Sequence, residues 1–281
     1  MKIYISADME GCSGIVHTAH TDTHGFDYEP ARRWFMDEVN AAVAGAFDGG
    51  AAEVVVSDSH GGNGNRNLIL DDLDSRAELI TGRPRALGQL DGIDESYAAV
   101  FLVGYHTMHG TAGVLSHTTN GRAVANLWVN DTLVGEIGLN AHLAGSFGVP
   151  VALITGDDLT IAEAQQLIPD VEGAVVKQAL SRYAARCLHP QRAHQVIRAA
   201  ARRAVEKSGS LQALPCSGPV KMRLQFKDTG GVDAAARLPE VEVIDDETVE
   251  FRSPDMAAAY MTYSALVGLW PNVWGNWARQ R

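Results

Sequence analysis

Lys2-Ile3-Tyr4-Ile5-Ser6-Ala7-Asp8-Met9-Glu10-Gly11 is the stretch that decides how this chain folds. Its first six residues read as a short buried strand, which empties into two carboxylates one residue apart. Side chains in an extended segment alternate, so Asp8 and Glu10 can converge on one cation while Met9 turns back toward the core. Gly11 then permits a sharp turn of the backbone. An Asp-x-Glu pair by itself is more often solvated or capping than ligating, so its meaning rests on the segments that accompany it.

Working outward, strand-like apolar runs recur at residues 3–7, 53–57, 99–104 and 149–155, separated by helical stretches. This alternation is the pattern of a parallel sheet with helices on its faces. Residues 28–49 carry Ala31, Phe35, Val39, Ala42, Val43, Ala46 and Phe47 at helical spacing before Gly49-Gly50, which predicts a right-handed βαβ crossover. Residues 123–134 predict a hairpin turning at Asn130-Asp131, and helices are expected over 135–147, 161–167 and from His189-Pro190 to about residue 207. Residues 171–178 predict a further strand.

Beyond a Ser-, Gly- and Pro-containing loop at 208–218 the character changes. Residues 220–226 alternate as a half-exposed antiparallel strand, 241–251 hold one or two more, and 255–269 form a helix. The expected fold class is therefore α/β, a mostly parallel sheet flanked by helices with a smaller C-terminal α+β portion. The expected division is 1–190 for the catalytic, metal-binding domain and 191–281 for the smaller one, which is also expected to make oligomer contacts. Trp270, Trp274 and Trp277 read as a segment docking against the core or a neighbouring subunit.

Composition narrows the function classes. A chain of 281 residues with 46% hydrophobic and 20% charged content is ordinary for a globular protein and excludes disorder. A net charge of −11 argues against a nucleic-acid partner, and Arg198, Arg202 and Arg203 read as the solvated face of an Ala-rich helix. Cys12, Cys187 and Cys216 are widely spaced and odd in number, so neither a disulfide framework nor a thiolate zinc site is expected. No basic leader with an apolar run follows the N-terminus and no run approaches about 18 apolar residues, so a cytoplasmic location without membrane contact is expected. Ten histidines beside three cysteines point any metal to a nitrogen and oxygen shell.

Polar signatures stand where parallel strands should end: Asp8 and Glu10, then Ser57-Asp58-Ser59-His60-Gly61, then Gly104-Tyr105-His106, and after the hairpin Gly135-Glu136. Open α/β sheets place their sites at that edge, so Asp8, Glu10, His60, His106 and Glu136 are expected to meet in one pocket. Five such ligands suit two metals about 3.5–4 Å apart, with Asp8 as the natural bridge. Imidazole with carboxylate favours Zn2+, although Mn2+ or Co2+ accepts a similar shell. Each histidine would need its second nitrogen fixed by a carbonyl or carboxylate, a role for which Asp58 is one candidate and a loop cap the other reading.

At this point the chain resembles the DppA-type D-aminopeptidases, zinc-dependent bacterial peptidases, over nearly its whole length. The resemblance rests on Ser6-Ala7-Asp8-Met9-Glu10-Gly11, Asp58-Ser59-His60, Gly104-Tyr105-His106, Gly113-Val114-Leu115-Ser116-His117, Asn130-Asp131 through Gly135-Glu136-Ile137-Gly138-Leu139-Asn140, Thr155-Gly156-Asp157-Asp158 and Val175-Val176-Lys177-Gln178. It implies metal ligation by Asp8, Glu10, His60, His106 and Glu136, and catalysis by His117. The implied activity is that of a dinuclear zinc metallo-aminopeptidase, a hydrolase taking the N-terminal residue, D-Ala included, from short peptides by means of a metal-activated water. His117 would be general base and then general acid, with a nucleophilic role second. The resemblance also implies a homodecamer, a ring of ten subunits enclosing the sites. Selectivity for D, L or Gly is a matter of pocket shape that no motif encodes.

Two rivals share the ligand set: a dinuclear phosphoester hydrolase, which should want a basic rim, and a non-catalytic metal-dependent peptide binder, which would have no need of His117. Weaker signals remain. His17, His20 and His24, with Asp22 and Asp27, read as a rim or lid rather than a further metal site. His109 reads as pocket rim, His142 as facing another side, Asp157 and Asp158 as ligand-orienting or capping, and Lys177 and Arg182 as candidate partners for a peptide carboxylate.

Overall fold

A computed structural model of the chain describes residues 1–274, with side chains described as far as Trp270. In chain order the strands and helices are β1 (Lys2–Ala7), α1 (Thr18–Thr21), α2 (Tyr28–Asp48), β2 (Glu53–Asp58), β3 (Ala77–Ile80), β4 (Tyr97–Val103), β5 (Val124–Val129), β6 (Thr132–Val134), α3 (Glu136–Ser146), β7 (Val151–Asp157), α4 (Asp158–Leu167), β8 (Glu172–Ser181), β9 (Ala184–Cys187), α5 (Pro190–Lys207), β10 (Val220–Phe226), α6 (Thr229–Ala235), β11 (Val241–Val243), β12 (Thr248–Ser253) and α7 (Met256–Trp274). Seven strands form one sheet in the order β3-β2-β1-β4-β7-β8-β9, parallel except for the closing β8–β9 pair. Five form an antiparallel sheet in the order β11-β12-β10-β5-β6. The expected α/β class with a largely parallel sheet is what the chain adopts.

The parallel sheet is covered on both faces, and β1 shows why its sequence is almost wholly apolar. Ile3, Ile5 and Ala7 pack with α2 and α5, whereas Tyr4 points into the opposite core of α3, α4, α7 and the second sheet. On α2 the buried residues Ala31, Phe35, Val39, Ala42, Val43 and Ala46 form the helical stripe that its spacing predicted. Gly45 lets α5 approach closely: a Cβ there would lie 2.3 Å from the Arg198 carbonyl oxygen. The arginines of α5 do face solvent, paired as Arg198–Asp48, Arg202–Glu206 and Arg203–Glu172. Exposed pairs of this kind contribute about 0–1 kcal/mol each.

Asn130 and Asp131 both adopt left-handed backbone, φ 47° and 68°, as a tight hairpin turn with native twist requires. That hairpin does not belong to the parallel sheet. β5 pairs with β10, and α5 packs on α2, so each layer draws on residues from both sides of position 190. Trp270 packs against the core and donates from Nε1 to Asp228 Oδ2 at 3.1 Å, while the side chain of Trp274 and all of Trp277 lie outside the described residues. No helix among the described residues is long and apolar enough to cross a membrane.

One buried acid lies in the core between β1 and α2. Glu38 accepts from the Ser13 amide at 2.8 Å through Oε1, while its buried Oε2 has no hydrogen-bond partner. Burial raises its pKa from 4.5 to about 7, against the pull of that amide and of Lys177. Between those values the folded chain keeps a proton that the unfolded chain releases, so stability falls as pH rises through the window and levels off above it. Glu38→Gln should flatten the fall, which amounts to about 3 kcal/mol at about 1.4 kcal/mol per pH unit. Parallel denaturation curves of parent and variant between pH 5 and 8 measure it; curves offset by a constant would contradict the assignment.

Candidate metal centre

Strand order reverses beside β1: β2 and β3 lie to one side, β4, β7 and β8 to the other. Clefts at such switch points open at the carboxyl ends of the strands, and the predicted residues gather there. Asp8 and Glu10 follow β1, His60 follows β2 and His106 follows β4. Glu136 arrives by a different route from the one its spacing predicted. It is the first residue of α3, delivered by β6 of the antiparallel sheet rather than by a fourth strand of the parallel one.

The turn after β1 is held tightly against that after β4. The amide of Asp8 donates to the Val103 carbonyl at 2.8 Å and that of Gly11 to the Gly104 carbonyl at 2.7 Å. Gly104 has φ 73°, and a Cβ there would fall 2.0 Å from the Asp8 carbonyl oxygen, so only glycine fits. The amide of Ser59 binds the Ala7 carbonyl at 2.8 Å and brings the His60 turn alongside.

Two triplets of side chains able to ligate a metal result, Asp8–Glu10–His60 and His106–His117–Glu136, each with its donor atoms within 4.8 Å of one another. His60 Nδ1 stands 3.1 Å from both Asp8 Oδ1 and Glu10 Oε2. His106 Nε2 stands 3.6 Å from Asp8 Oδ2 and 3.2 Å from Glu136 Oε1. Asp8 therefore turns one oxygen to each histidine, the disposition of a bridging carboxylate. Asp8, Glu10, His60, His106 and Glu136 are all buried.

The remaining ring nitrogens are fixed by backbone carbonyls. His60 Nε2 lies 2.9 Å from the Thr21 oxygen, His106 Nδ1 3.0 Å from that of Thr107, and His117 Nδ1 2.9 Å from that of Leu115. Donation to those carbonyls leaves His60 Nδ1, His106 Nε2 and His117 Nε2 aimed at the carboxylates. His106 Nε2 is buried without a hydrogen-bond partner although two carboxylate oxygens flank it. Such an arrangement, three atoms converging with no hydrogen-bond geometry among them, fits ligands around a common cation.

The charge balance agrees. Among the described residues the ion-pair partners of Asp8, Glu10 and Glu136 are histidines alone. Burial works against charged imidazoles, yet Glu10 and Asp8 hold His60, and Glu136 and Asp8 hold His106, well above the ordinary histidine value. Burial likewise opposes ionisation of Glu10 and Glu136, and the neighbouring histidines override it and lower both. A buried set of three carboxylates thus calls for positive charge at its centre, from imidazole protons or from metal ions.

His117 differs from the other two histidines. Its side chain is 20% exposed, against 1% for His106 and 8% for His60, and its ring stacks on His106 at 4.1 Å and 11° with Nε2 3.7 Å from Glu136 Oε1. Leu115 and Thr119 on either side of it adopt φ 54° and 48°. Left-handed backbone at a non-glycine residue costs about 1–2 kcal/mol and persists where the surroundings impose it, commonly at functional sites. Here the Leu115 amide is held by the Arg182 carbonyl at 2.9 Å, and the Thr119 amide donates to Glu136 Oε1 at 2.7 Å.

The weaker candidates fall elsewhere. Asp58 does not touch a ring nitrogen of His60; it accepts from the amides of Asn67 and Leu68 and from Asn67 Nδ2, which also binds the His60 carbonyl. His17 and His20 cap α1, whose last residue, Thr21, supplies the carbonyl that orients His60. His142 binds the Gly138 carbonyl on α3. Asp157 caps α4 and also accepts from Val114 in the loop leading to His117, and Asp158 accepts from Ala179. Lys177 is 1% exposed and its ammonium donates to the carbonyls of Glu10, Cys12 and Ile15, so it supports the ligand loop from below and is closed to a peptide carboxylate. Arg182 is exposed and binds the Ser116 carbonyl and hydroxyl beside His117. Sequence reasoning missed Gln89, whose Nε2 donates to Glu136 Oε2 at 2.7 Å. It lies in a turn without periodicity or motif.

Comparison with known proteins gives a consistent result. A profile of the D-aminopeptidase family, Peptidase_M55, matches residues 1–265. The D-aminopeptidase of Bacillus subtilis (strain 168) is 35% identical over 271 residues, covering 96% of this chain and 97% of that protein. Among solved structures, the Zn-dependent D-aminopeptidase DppA from Bacillus subtilis, described as a self-compartmentalizing protease, superposes with a TM-score of 0.93 at 34% identity, covering 96% of this chain and 98% of the other.

Proposed function

From the chain's membership of the D-aminopeptidase family we propose that Asp8, Glu10, His60, His106 and Glu136 hold two zinc ions per subunit and that His117 serves the peptide hydrolysis they support. The protein is a zinc aminopeptidase. The observation that carries the site assignment is His106 Nε2, buried, without hydrogen-bond geometry to any partner and flanked by Asp8 and Glu136. Zinc bound there supplies a Lewis acid for the scissile carbonyl and acidifies water toward neutral pH.

The rest belongs to this chain's own groups. His117 keeps its proton on Nδ1, held by the Leu115 carbonyl, so Nε2 is the free base that takes a proton from water and passes it to the departing amine. Its greater exposure than His106 suits a group that meets substrate rather than one that ligates. Glu136 stays oriented by Thr119 and Gln89 while His117 cycles. A peptide's free amino group would take an open metal position or pair with one carboxylate of the site, which accounts for cleavage at the amino end. The substrates proposed are short peptides, D-Ala-initiated ones among them, met in the cytoplasm. A closed homodecamer would admit only small or extended chains, a reading supported by the self-compartmentalizing relative.

Metal analysis followed by release assays on matched D-Ala, L-Ala and Gly dipeptides, with and without chelator, tests this reading. Two zinc per chain and chelator-sensitive release are expected; metal without release of any amino acid would overturn the peptidase. His117→Ala should lower kcat by about 100- to 10,000-fold, the usual worth of a general base, with zinc content unchanged. Loss of zinc in that variant would instead make His117 a ligand.

A further inference from the structure

Each segment that supplies a proposed ligand also contributes one buried polar group to a second cluster behind the site. Ser6 stands two residues before Asp8, Ser59 and Tyr105 immediately before His60 and His106, and Asn140 one helical turn after Glu136. Ser6 Oγ is 2.6 Å from Ser59 Oγ and 2.7 Å from the Tyr105 hydroxyl. Asn140 Nδ2 donates to that hydroxyl at 3.0 Å and to Gln89 Oε1 at 2.6 Å. Gln89 Nε2 closes the chain on Glu136 Oε2, and the Gln89 carbonyl lies 3.2 Å from both the Ser6 and the Ser59 hydroxyl, accepting from whichever of the two does not donate to the other.

We propose that Gln89 is a positioning residue that locks all four ligand-bearing segments into one register and fixes the carboxylate plane of Glu136. The inference rests on the metal-centre reading above. Its backbone carbonyl joins the β1 and β2 ends, its amide oxygen reaches Asn140 and through it Tyr105, and its amide N–H group reaches the ligand itself. Glu136 thereby spends Oε2 on Gln89 and turns Oε1 to His106 and His117. Without that donor the Thr119 amide on Oε1 is the remaining backbone hold on the carboxylate, whose last torsion is broad and weakly restrained.

Outer partners of metal ligands typically govern affinity by about 10–100-fold. Gln89→Met preserves bulk and removes both amide contacts; Gln89→Glu preserves size and the acceptor but replaces the donor facing Glu136 with a like charge. Both variants should weaken zinc binding by about 10–100-fold in competition with a chromophoric chelator. Both should shift the visible bands of the cobalt-substituted protein, in addition to the fall in metal-free Tm that comes from depriving buried Glu136 and Asn140 of their partner. A purely structural role would lower that Tm and leave the cobalt bands in place, and wild-type zinc affinity in Gln89→Glu would overturn the proposal. Should Gln89→Met fail to fold, Gln89→Glu carries the test. Failure of the parent protein to bind zinc at all would instead sink the metal-centre reading, which separates the two outcomes.

Discussion

Asp8→Asn is expected to lose metal and to lower kcat/KM by more than about 100-fold while the metal-free protein stays folded. Asp8 is the one side chain shared between the two histidines that follow β2 and β4, with Oδ1 toward His60 and Oδ2 toward His106. Asparagine keeps the shape but replaces one oxygen by an NH2 group that cannot ligate and removes the charge. Loss of a direct ligand should exceed the about 10–100-fold of an outer partner, which sets the lower bound. Zinc per chain and the kinetic constants, measured on one preparation, check it. Full zinc occupancy in the variant would exclude a bridging role.

The second large effect is expected at Lys177. Its ammonium donates to the carbonyls of Glu10, Cys12 and Ile15, and it lies fully inside the protein. Lys177→Met would strand the Glu10 and Ile15 carbonyls, each worth about 1–3 kcal/mol when left unpaired, while the Cys12 carbonyl keeps the Ile15 amide at 3.2 Å. Relief from burying an ammonium offsets part of this, leaving a net loss of about 3 kcal/mol. Urea denaturation of the metal-free protein measures the stability, and the zinc content of the folded fraction measures the effect on the Glu10 loop. Unchanged stability would mean that the loop is held by its own turns, such as the Cys12 amide to the Met9 carbonyl.

Much of the architecture could be read from local pattern because the relevant physics is local. The continuous apolar run of β1, the helical stripe of α2 and the Asn130-Asp131 turn each announce themselves within a few residues. Asp8, Glu10, His60 and His106 follow from one rule about strand ends. β3 and β9 were not anticipated: at four residues each, partly exposed, they carry little periodicity. The pairing of β5 with β10 was equally hidden, because nothing in residues 124–129 states that their partner lies nearly a hundred residues on. Glu136 lies beside His106 as expected but at the first position of a helix rather than at a strand end, two positions that look alike in sequence. Gln89 had no signature, for its importance comes from tertiary neighbours rather than from spacing.

The position of β1 has a consequence for how the protein comes into being. Its two hydrogen-bonding neighbours, β2 and β4, are both made after it, the second ending only at Val103. On the ribosome β1 therefore emerges before either partner, and even after β2 is made its β4-side edge of backbone N–H and C=O groups stays unpaired until about a third of the chain is synthesised, several seconds or more at about 5–20 residues per second. Closing the long loops that bring it home is slow because their entropy is lost before the contacts form. A nascent chain of this protein should for that interval be a good client for chaperones that bind extended apolar segments, and fragments ending before Val103 should aggregate rather than fold.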